Sequence, residues 1–212
     1  MPPSIAVYER TIHASLERIW ENVLDWEHLP WLHKESFGHV RLFERSRDGW
    51  RGEASVVGGA PFELDVALDR EARRYHSRTV AGPGAGTDIV TELFPVGERE
   101  TRIRVDFLVP GIAPEHAERV GAVYVGLYTL LWDQDEAMMR RRQALLDGTL
   151  ACPTREVLVD GAPAQFATVC PHLGGPLDDA PVDGGCVTCP WHGYRFDVRT
   201  GRSTDGHGLR LD

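Results

Sequence analysis

The feature that most constrains this chain is a pair of Cys-His sequences in its last fifth. The first reads Cys170-Pro-His172, and the second follows after sixteen intervening residues as Cys189-Pro-Trp-His192. Two thiolates and two imidazoles fit one iron–sulfur centre of mixed ligation, in which the cysteines hold one iron and the histidines the other. Zinc accepts the same four ligands. Zinc fingers usually pair Cys with Cys and His with His, so the spacing favours the iron–sulfur centre over zinc.

The residues around both pairs carry a family resemblance. Residues 170–177 read Cys-Pro-His-Leu-Gly-Gly-Pro-Leu, and residues 189–196 read Cys-Pro-Trp-His-Gly-Tyr-Arg-Phe. Both resemble the cluster-binding loops of Rieske 2Fe–2S proteins. The resemblance implies a small all-β domain over residues 150–212. Its implied cluster ligands are Cys170, His172, Cys189 and His192.

The same loops differ from those of respiratory Rieske proteins. Those relatives have an additional cysteine in each loop, and the two form a disulfide, whereas here the positions hold Gly175 and Trp191. They also place hydroxyl residues after the second pair, where this chain has Tyr194 and Phe196. Because fewer donors stabilise the reduced cluster less, we expect a potential at the low end of the roughly −150 to +300 mV range of such centres. This suits an oxygenase component better than a quinol-oxidising complex.

Composition bounds the partners and the compartment. The net charge of −9 disfavours nucleic acid and anionic membranes as partners. The first residues, Met1-Pro-Pro-Ser-Ile, lack the basic and apolar regions of a signal peptide. The longest nearly apolar stretch, residues 121–132, is too short to span a bilayer. Of the two cysteines outside the loops, Cys152 and Cys186, the second lies in a strand-like Gly-Cys-Val-Thr segment. We therefore expect a cytoplasmic protein with reduced cysteines.

The first 147 residues predict a separate α+β domain. Ile5–Ile12 is typical of a strand, and Ser15 is a plausible N-cap for a helix that runs to about Asp25. Apolar and polar residues alternate over residues 62–69 and again over 102–109, which indicates antiparallel strands with one polar face. The glycine- and proline-rich residues 82–86 predict a turn between two further strands.

A long helix ends this domain. It is expected from about Ala113 to Leu146, with an apolar face formed by Val120, Val123, Leu127, Leu131 and Met138. Strand, short helix, antiparallel meander and long terminal helix together resemble the helix-grip fold of the START/polyketide-cyclase superfamily. That resemblance implies a pocket between the sheet and the long helix.

A second candidate metal site lies within residues 21–33. Two neutral imidazoles and one carboxylate on one side of a metal form the facial triad of non-haem iron(II) oxygenases. Asp25 and His28 are three residues apart and would share a helix face, and Pro30 would end that helix so that His33 could reach the same centre. The stretch resembles the Asn-x-x-Asp-x-x-His-x4-His segment of Rieske non-haem iron oxygenases. The resemblance implies that His28 and His33 ligate iron, and that Asp25 bridges to a cluster-ligand histidine of a neighbouring subunit.

The third ligand is expected on the long helix. Residues 132–136, Trp-Asp-Gln-Asp-Glu, resemble the family's stretch around its ligand aspartate. At 100° per residue, Asp135 lies at the inward edge of the apolar face, whereas Asp133 points away from it. A carboxylate directed at a pocket needs a partner, which iron would supply. The alternative is that His28 and His33 are ordinary residues after a helix, as in many ligand-binding helix-grip proteins.

Two functions remain open. The first is a compact Rieske-type oxygenase that hydroxylates or demethylates a small organic molecule, with electrons from a reductase or ferredoxin. Because electrons in that family pass between neighbouring subunits, the resemblance implies a homo-oligomer, with a trimer favoured. The second is a non-enzymatic electron-transfer or redox-sensing protein with a ligand-binding helix-grip domain. In Rieske oxygenases the cluster domain normally precedes the catalytic domain, and here the order is reversed.

Overall fold

The computed structural model describes residues 4–211. The chain divides into two compact units, the first ending at Met139 and the second beginning at Arg140. The division therefore falls inside the long helix, eight residues before the boundary expected at Asp147. Arg141 accounts for this, because its Nε donates to the carbonyl of Gly174 at 2.6 Å and so joins the end of the helix to the second unit. Among the described residues, no helix combines the length and apolar character needed to cross a membrane.

The first unit is built on a seven-stranded antiparallel sheet. In chain order the strands are β1 (Ser4–Ile12), β2 (Phe37–Ser46), β3 (Gly49–Val56), β4 (Phe62–Asp69), β5 (Arg74–Ala81), β6 (Asp88–Gly97) and β7 (Glu100–Leu108). Their order in the sheet is β1-β7-β6-β5-β4-β3-β2. The helices are α1 (Leu16–Leu24), a 3₁₀ helix (Trp26–His28), α2 (Leu29–Leu32) and α3 (Pro114–Leu146). This confirms the α+β class, the meander, the turn at residues 82–86 and the long terminal helix.

One face of the sheet forms the core of this unit. Ile103, Val105 and Phe107 of β7 are fully buried, as the alternation in the sequence predicts. Full burial of a side chain of this size stabilises the fold by about 1.5–3 kcal/mol. Trp132 and Met139 of α3 complete the same cluster. The core therefore lies between α3 and the β1-β7 end of the sheet.

The buried face of α3 matches the expected apolar face only in part. Met138 is buried as expected, whereas Val123 is 68% exposed. Gly121 and Trp132, which were not expected on this face, are buried and pack against the sheet. A Cβ at Gly121 would lie 2.8 Å from the carbonyl oxygen of Ile5, so only glycine permits this close approach of helix and strand.

Ion pairs from β1 set the rotation of α3. Arg10 donates to Asp133 at 2.6 Å and to Glu136 at 2.5 Å, and Glu136 also accepts from the backbone N–H of His13 at 2.9 Å. Glu136 is thereby drawn to the sheet edge while Asp133 stays mostly exposed. Asp135 is consequently turned toward the interior of the unit.

The second unit contains five short strands. They are β8 (Thr154–Val159), β9 (Ala162–Ala167), β10 (Val182–Asp183), β11 (Cys186–Thr188) and β12 (Arg195–Asp197). β8 and β9 form a hairpin, and β10-β11-β12 form a three-stranded antiparallel sheet. The small all-β character expected of this part of the chain is confirmed.

Candidate metal centres and cavity

Three short elements present the first group of candidate ligands. Ser15 caps α1 by accepting from the backbone N–H of Arg18 at 3.3 Å, as predicted, and α1 ends at Leu24. The expectation that Asp25 and His28 share one helix is wrong, because Asp25 follows α1 and His28 ends a separate 3₁₀ helix. Pro30 does not break a helix either. It lies in the first turn of α2, where its missing N–H is not needed.

The structure brings His28, His33 and Asp135 together. One ligand atom from each residue lies within 4.8 Å of the other two. Asp135 Oδ1 is 3.4 Å from His28 Nε2 and 3.0 Å from His33 Nε2. Both imidazoles are almost completely buried. A ligand set of two imidazoles and one carboxylate fits ferrous iron and leaves coordination positions open.

Neighbouring side chains hold these groups in place. His33 Nδ1 donates its proton to Gln134 Oε1 at 2.6 Å, which directs Nε2 at Asp135. Asn22 Nδ2 donates to Asp135 Oδ1 at 3.1 Å. Such outer contacts orient ligands and are typical of metal centres. Neither Gln134 nor Asn22 was identified as a site residue from the sequence.

The charges of the three groups are strongly coupled. Burial lowers the pKa of His28, but the hydrogen bonds to Asp135 and Asp25 outweigh it and raise that pKa to about 10. Burial acts in the opposite direction on Asp135, but hydrogen bonds from His28 and His33 hold its pKa well below the usual range. Near neutral pH the buried carboxylate is therefore ionised and faces an imidazolium. A divalent cation would replace that proton as the compensating charge.

Asp25 lies directly behind this group. Its Oδ2 is 3.6 Å from His28 Nδ1, on the side of the ring opposite to Asp135. A carboxylate behind the second nitrogen of an imidazole is a common arrangement in metal centres.

A cavity of about 550 Å³ adjoins the three residues. It lies between the sheet and α3 of the first unit, where the resemblance implies a pocket. Its wall is mostly apolar and includes Trp50, Phe62, Leu64, Val66, Leu127 and Leu131. The expected apolar face of β4 therefore lines the cavity. His28, His33 and Asp135 form part of the wall, so a molecule in the cavity could reach a metal held there.

In the second unit, the two Cys-His loops have matching backbone geometry. Cys170 N–H donates to the carbonyl of Gly175 at 2.9 Å, and Cys189 N–H donates to the carbonyl of Tyr194 at 2.8 Å. The carbonyl of each cysteine in turn accepts from a glycine four residues later, Gly174 or Gly193. Both glycines have positive φ, which a side chain would disfavour. The paired motifs thus fold into a pair of equivalent turns.

These turns bring the four candidate cluster ligands together. The rings of His172 and His192 are 4.5 Å apart between centroids, and Cys170 and Cys189 are fully buried. The hydrogen bond with Cys189, together with burial, raises the pKa of the Cys170 thiol. The same hydrogen bond lowers the pKa of Cys189. Two adjacent sulfurs beside two adjacent imidazoles fit a mixed-ligand 2Fe–2S cluster.

Gly175 supports this fit. A Cβ at this position would lie 2.5 Å from Cys189 Sγ and 3.4 Å from the Trp191 ring. A side chain would therefore fill the space beside the sulfur.

An aromatic stack extends from the same centre. The Tyr194 ring stacks on His172 at 4.5 Å, and the His207 ring stacks on the other face of Tyr194 at 3.8 Å. His207 was not identified as a site residue from the sequence. Only the glycines beside it, at positions 206 and 208, mark the segment in the sequence, and they do not specify what it packs against.

Comparisons with known proteins agree with the description of each of the two units. Residues 131–209 match the family model of the Rieske [2Fe-2S] domain. The second unit is a Rieske domain. A 40-residue stretch is 48% identical to apoptosis-inducing factor 3 of Mus musculus and equally to that of Homo sapiens. The stretch covers 19% of this chain and 7% of those proteins.

Solved structures resemble the remainder of the chain. The Zhui aromatase/cyclase from Streptomyces sp. R1128 gives a TM-score of 0.53 at 17% identity, over 65% of this chain and 94% of that one. A protein from Thermus thermophilus gives a TM-score of 0.50 at 18% identity, over 68% of this chain and 99% of that one. At these identities the likeness concerns the fold alone, and it confirms the helix-grip architecture ahead of the Rieske domain. The Rieske domain in turn supports a 2Fe–2S cluster as a cofactor.

Proposed function

We propose that this protein is a compact Rieske-type oxygenase acting on a small organic substrate. The observation that carries the proposal is the buried His28–His33–Asp135 group, which adjoins a cavity in a chain that also has a Rieske domain. In such enzymes a 2Fe–2S cluster relays electrons to a mononuclear ferrous iron that activates oxygen for hydroxylation or oxidative demethylation. Cys170, His172, Cys189 and His192 would hold the cluster, and His28, His33 and Asp135 the iron.

The protein's own residues would contribute in three ways. Gln134 and Asn22 fix the orientation of His33 and Asp135, so the ligands need no rearrangement. The apolar cavity wall positions the substrate beside the ligands and excludes water. Asp25, behind His28, would bridge to a cluster-ligand histidine of a neighbouring subunit. Such a bridge requires a homo-oligomer, with a trimer favoured.

The partners follow from the same proposal. A reductase or a ferredoxin would reduce the cluster, and the protein would act in the cytoplasm.

A second function, electron transfer or redox sensing with a ligand in the cavity and no third iron, is favoured by one observation. The first unit has the fold of a cyclase and its cavity is mostly apolar, so it could bind a ligand without a metal.

Nitric oxide distinguishes the two functions. Protein loaded anaerobically with ferrous iron and then exposed to nitric oxide should give the EPR signal of a high-spin ferrous nitrosyl complex. The signal is expected because the triad leaves coordination positions open for nitric oxide. Asp135→Ala should lose the signal, whereas the matched variant Asp133→Ala should keep it, because Asp133 pairs with Arg10 on the surface. A wild-type protein with an intact cluster spectrum and no nitrosyl signal would exclude the oxygenase and leave the second function.

A further inference from the structure

A hairpin over residues 201–211 packs against the second Cys-His loop. Its two arms are joined by an antiparallel bridge. The backbone N–H of Thr204 donates to the carbonyl of Arg195, which belongs to that loop, at 2.8 Å, and Ser203 pairs with Phe196 of the same loop. These contacts hold the tip of the hairpin beside the loop.

The tip of this hairpin carries a carboxylate, that of Asp205. Its Oδ2 accepts from the backbone N–H of Arg195 at 2.8 Å, and its Oδ1 accepts from the backbone N–H of His207 at 3.4 Å. The Asp205 side chain is only 25% exposed. Two backbone donors therefore fix the position of this negative charge at the loop.

Stacked rings shield the same side of the cluster site. The His207 ring lies on Tyr194 with an angle of 13° between the two planes, and Tyr194 lies on the ligand His172 with an angle of 20°. Tyr194 is 8% exposed. The two outer rings thus keep water from one face of the His172 imidazole. Because water screens charge, its exclusion strengthens the field of a nearby carboxylate.

The charge of Asp205 acts on a ligand sulfur. The hydrogen bond with Cys189 and burial raise the pKa of the Cys170 thiol most, and the charge of Asp205 raises it further. A carboxylate that disfavours negative charge on this sulfur also disfavours the electron that reduction would add to a cluster bound there. The net charge around such a centre is one of the factors that set its potential.

Little positive charge compensates Asp205. Among the described residues, the basic side chain within reach of its carboxylate is His207, with Nε2 4.0 Å from Oδ1. The guanidinium of Arg195 donates instead to the carbonyl of Asp183 at 3.0 Å. The negative field at the cluster ligands is therefore not cancelled by an arginine.

We propose that Asp205 sets the reduction potential of the 2Fe–2S cluster by disfavouring the reduced state through its fixed charge. Asp205 is not a ligand and acts on the ligands through its electric field. This effect adds to the low potential expected from the missing hydroxyl donors of the loop and is separable from it. The proposal rests on the cluster and needs no iron at His28 and His33, so it holds for either proposed function.

A redox titration followed through the visible spectrum at pH 8 tests the proposal. Asp205→Asn removes the charge but keeps an oxygen that accepts from Arg195 N–H. At a fixed solution potential, the ratio of reduced to oxidised cluster should rise about 3- to 10-fold for one partly solvated charge. A tenfold rise corresponds to about 59 mV for a one-electron couple.

Asp183→Asn is the matched control. It removes the same charge from a side chain that is 97% exposed, so solvent and salt should hold the change in this ratio below about twofold. Asp205→Ser is a second neutral variant, because its hydroxyl can also accept from Arg195 N–H, and it should give the same rise as Asp205→Asn.

Three results would overturn the proposal. They are an unchanged ratio in both neutral variants of Asp205, an equal rise in Asp183→Asn, and loss of the cluster from both neutral variants. The last result would make Asp205 a residue needed for assembly. A missing third iron does not affect the titration, so failure of the oxygenase proposal would not be confused with failure of this one.

Discussion

Binding of a divalent metal at the His28–His33–Asp135 group should release a proton. His28 must be neutral to ligate a metal, yet Asp135 and Asp25 raise its pKa to about 10, so it is an imidazolium at pH 8. Because pH 8 lies about two units below that pKa, removing the proton at pH 8 costs about 3 kcal/mol. The apparent affinity should therefore rise about tenfold for each pH unit between pH 7 and 9, and should level off as the pH approaches the pKa of His28.

Anaerobic titration calorimetry with ferrous iron measures this directly. Heats recorded in two buffers with different ionisation enthalpies give the number of protons released, which should be about one per iron at pH 8. His28→Gln is the matched control: it keeps a polar side chain of similar size but cannot release a proton. That variant should bind iron more weakly, with an affinity that changes far less with pH.

The sign of the effect is fixed by the geometry. A proton and a cation compete for the same imidazole, so acid must weaken metal binding. If wild-type protein binds iron with no proton release and a flat dependence between pH 7 and 9, the ion pair of His28 with Asp135 does not form, and the reasoning fails.

Three further predictions concern glycines and the cluster. Gly121→Ala should destabilise the first unit by about 1–3 kcal/mol, because the new Cβ would meet the β1 backbone. Gly126→Ala on the same helix is the control: its Cβ would meet no atom within 4 Å, so alanine should stabilise the unit by about 0.5–1 kcal/mol. Chemical denaturation measures both changes. Gly175→Ala should lower the iron and sulfide content of the purified protein, because its Cβ would lie 2.5 Å from Cys189 Sγ, and a full complement of cluster would contradict this. Cys170→Ser should abolish the visible spectrum of the histidine-ligated cluster; a persisting spectrum would exclude it as a ligand.

The parts of the structure that could be predicted from sequence are those encoded by short-range patterns. The Cys-His loops were recognisable because their ligands and glycines lie within eight residues of one another in each loop. Two strands of the meander, β4 and β7, were predicted from period-two alternation, and Ser15 was predicted as an N-cap from its position before an apolar helix. Each of these depends on neighbours along the chain.

Features that depend on contacts between distant parts of the chain could not be predicted from such short-range patterns. The apolar residues of α3 allow more than one buried face, and the face that forms is set by Arg10 of β1, which pairs with Glu136. The 3₁₀ helix that carries His28 was not predicted. The backbone N–H of Asp25 donates to the carbonyl of Asn22 and ends α1 there, and a helical pattern in the sequence does not indicate this end.

The polar partners were the least predictable. Gln134 and Asn22 have no sequence signature, since a glutamine or an asparagine on a helix is usually solvent-facing. His207 becomes part of the aromatic stack only because residues 203–211 return to pair near β12, with Ser203 opposite Phe196. Such roles follow from three-dimensional placement alone.

Iron content per chain tests the central claim most directly. Wild-type protein reconstituted with ferrous iron and sulfide without oxygen, then freed of loosely bound metal, should contain three irons per chain, two of them in the cluster. His33→Ala should contain two while its cluster spectrum is unchanged, because the two centres use different parts of the chain. Two irons in the wild-type protein, with a complete cluster spectrum, would contradict the account.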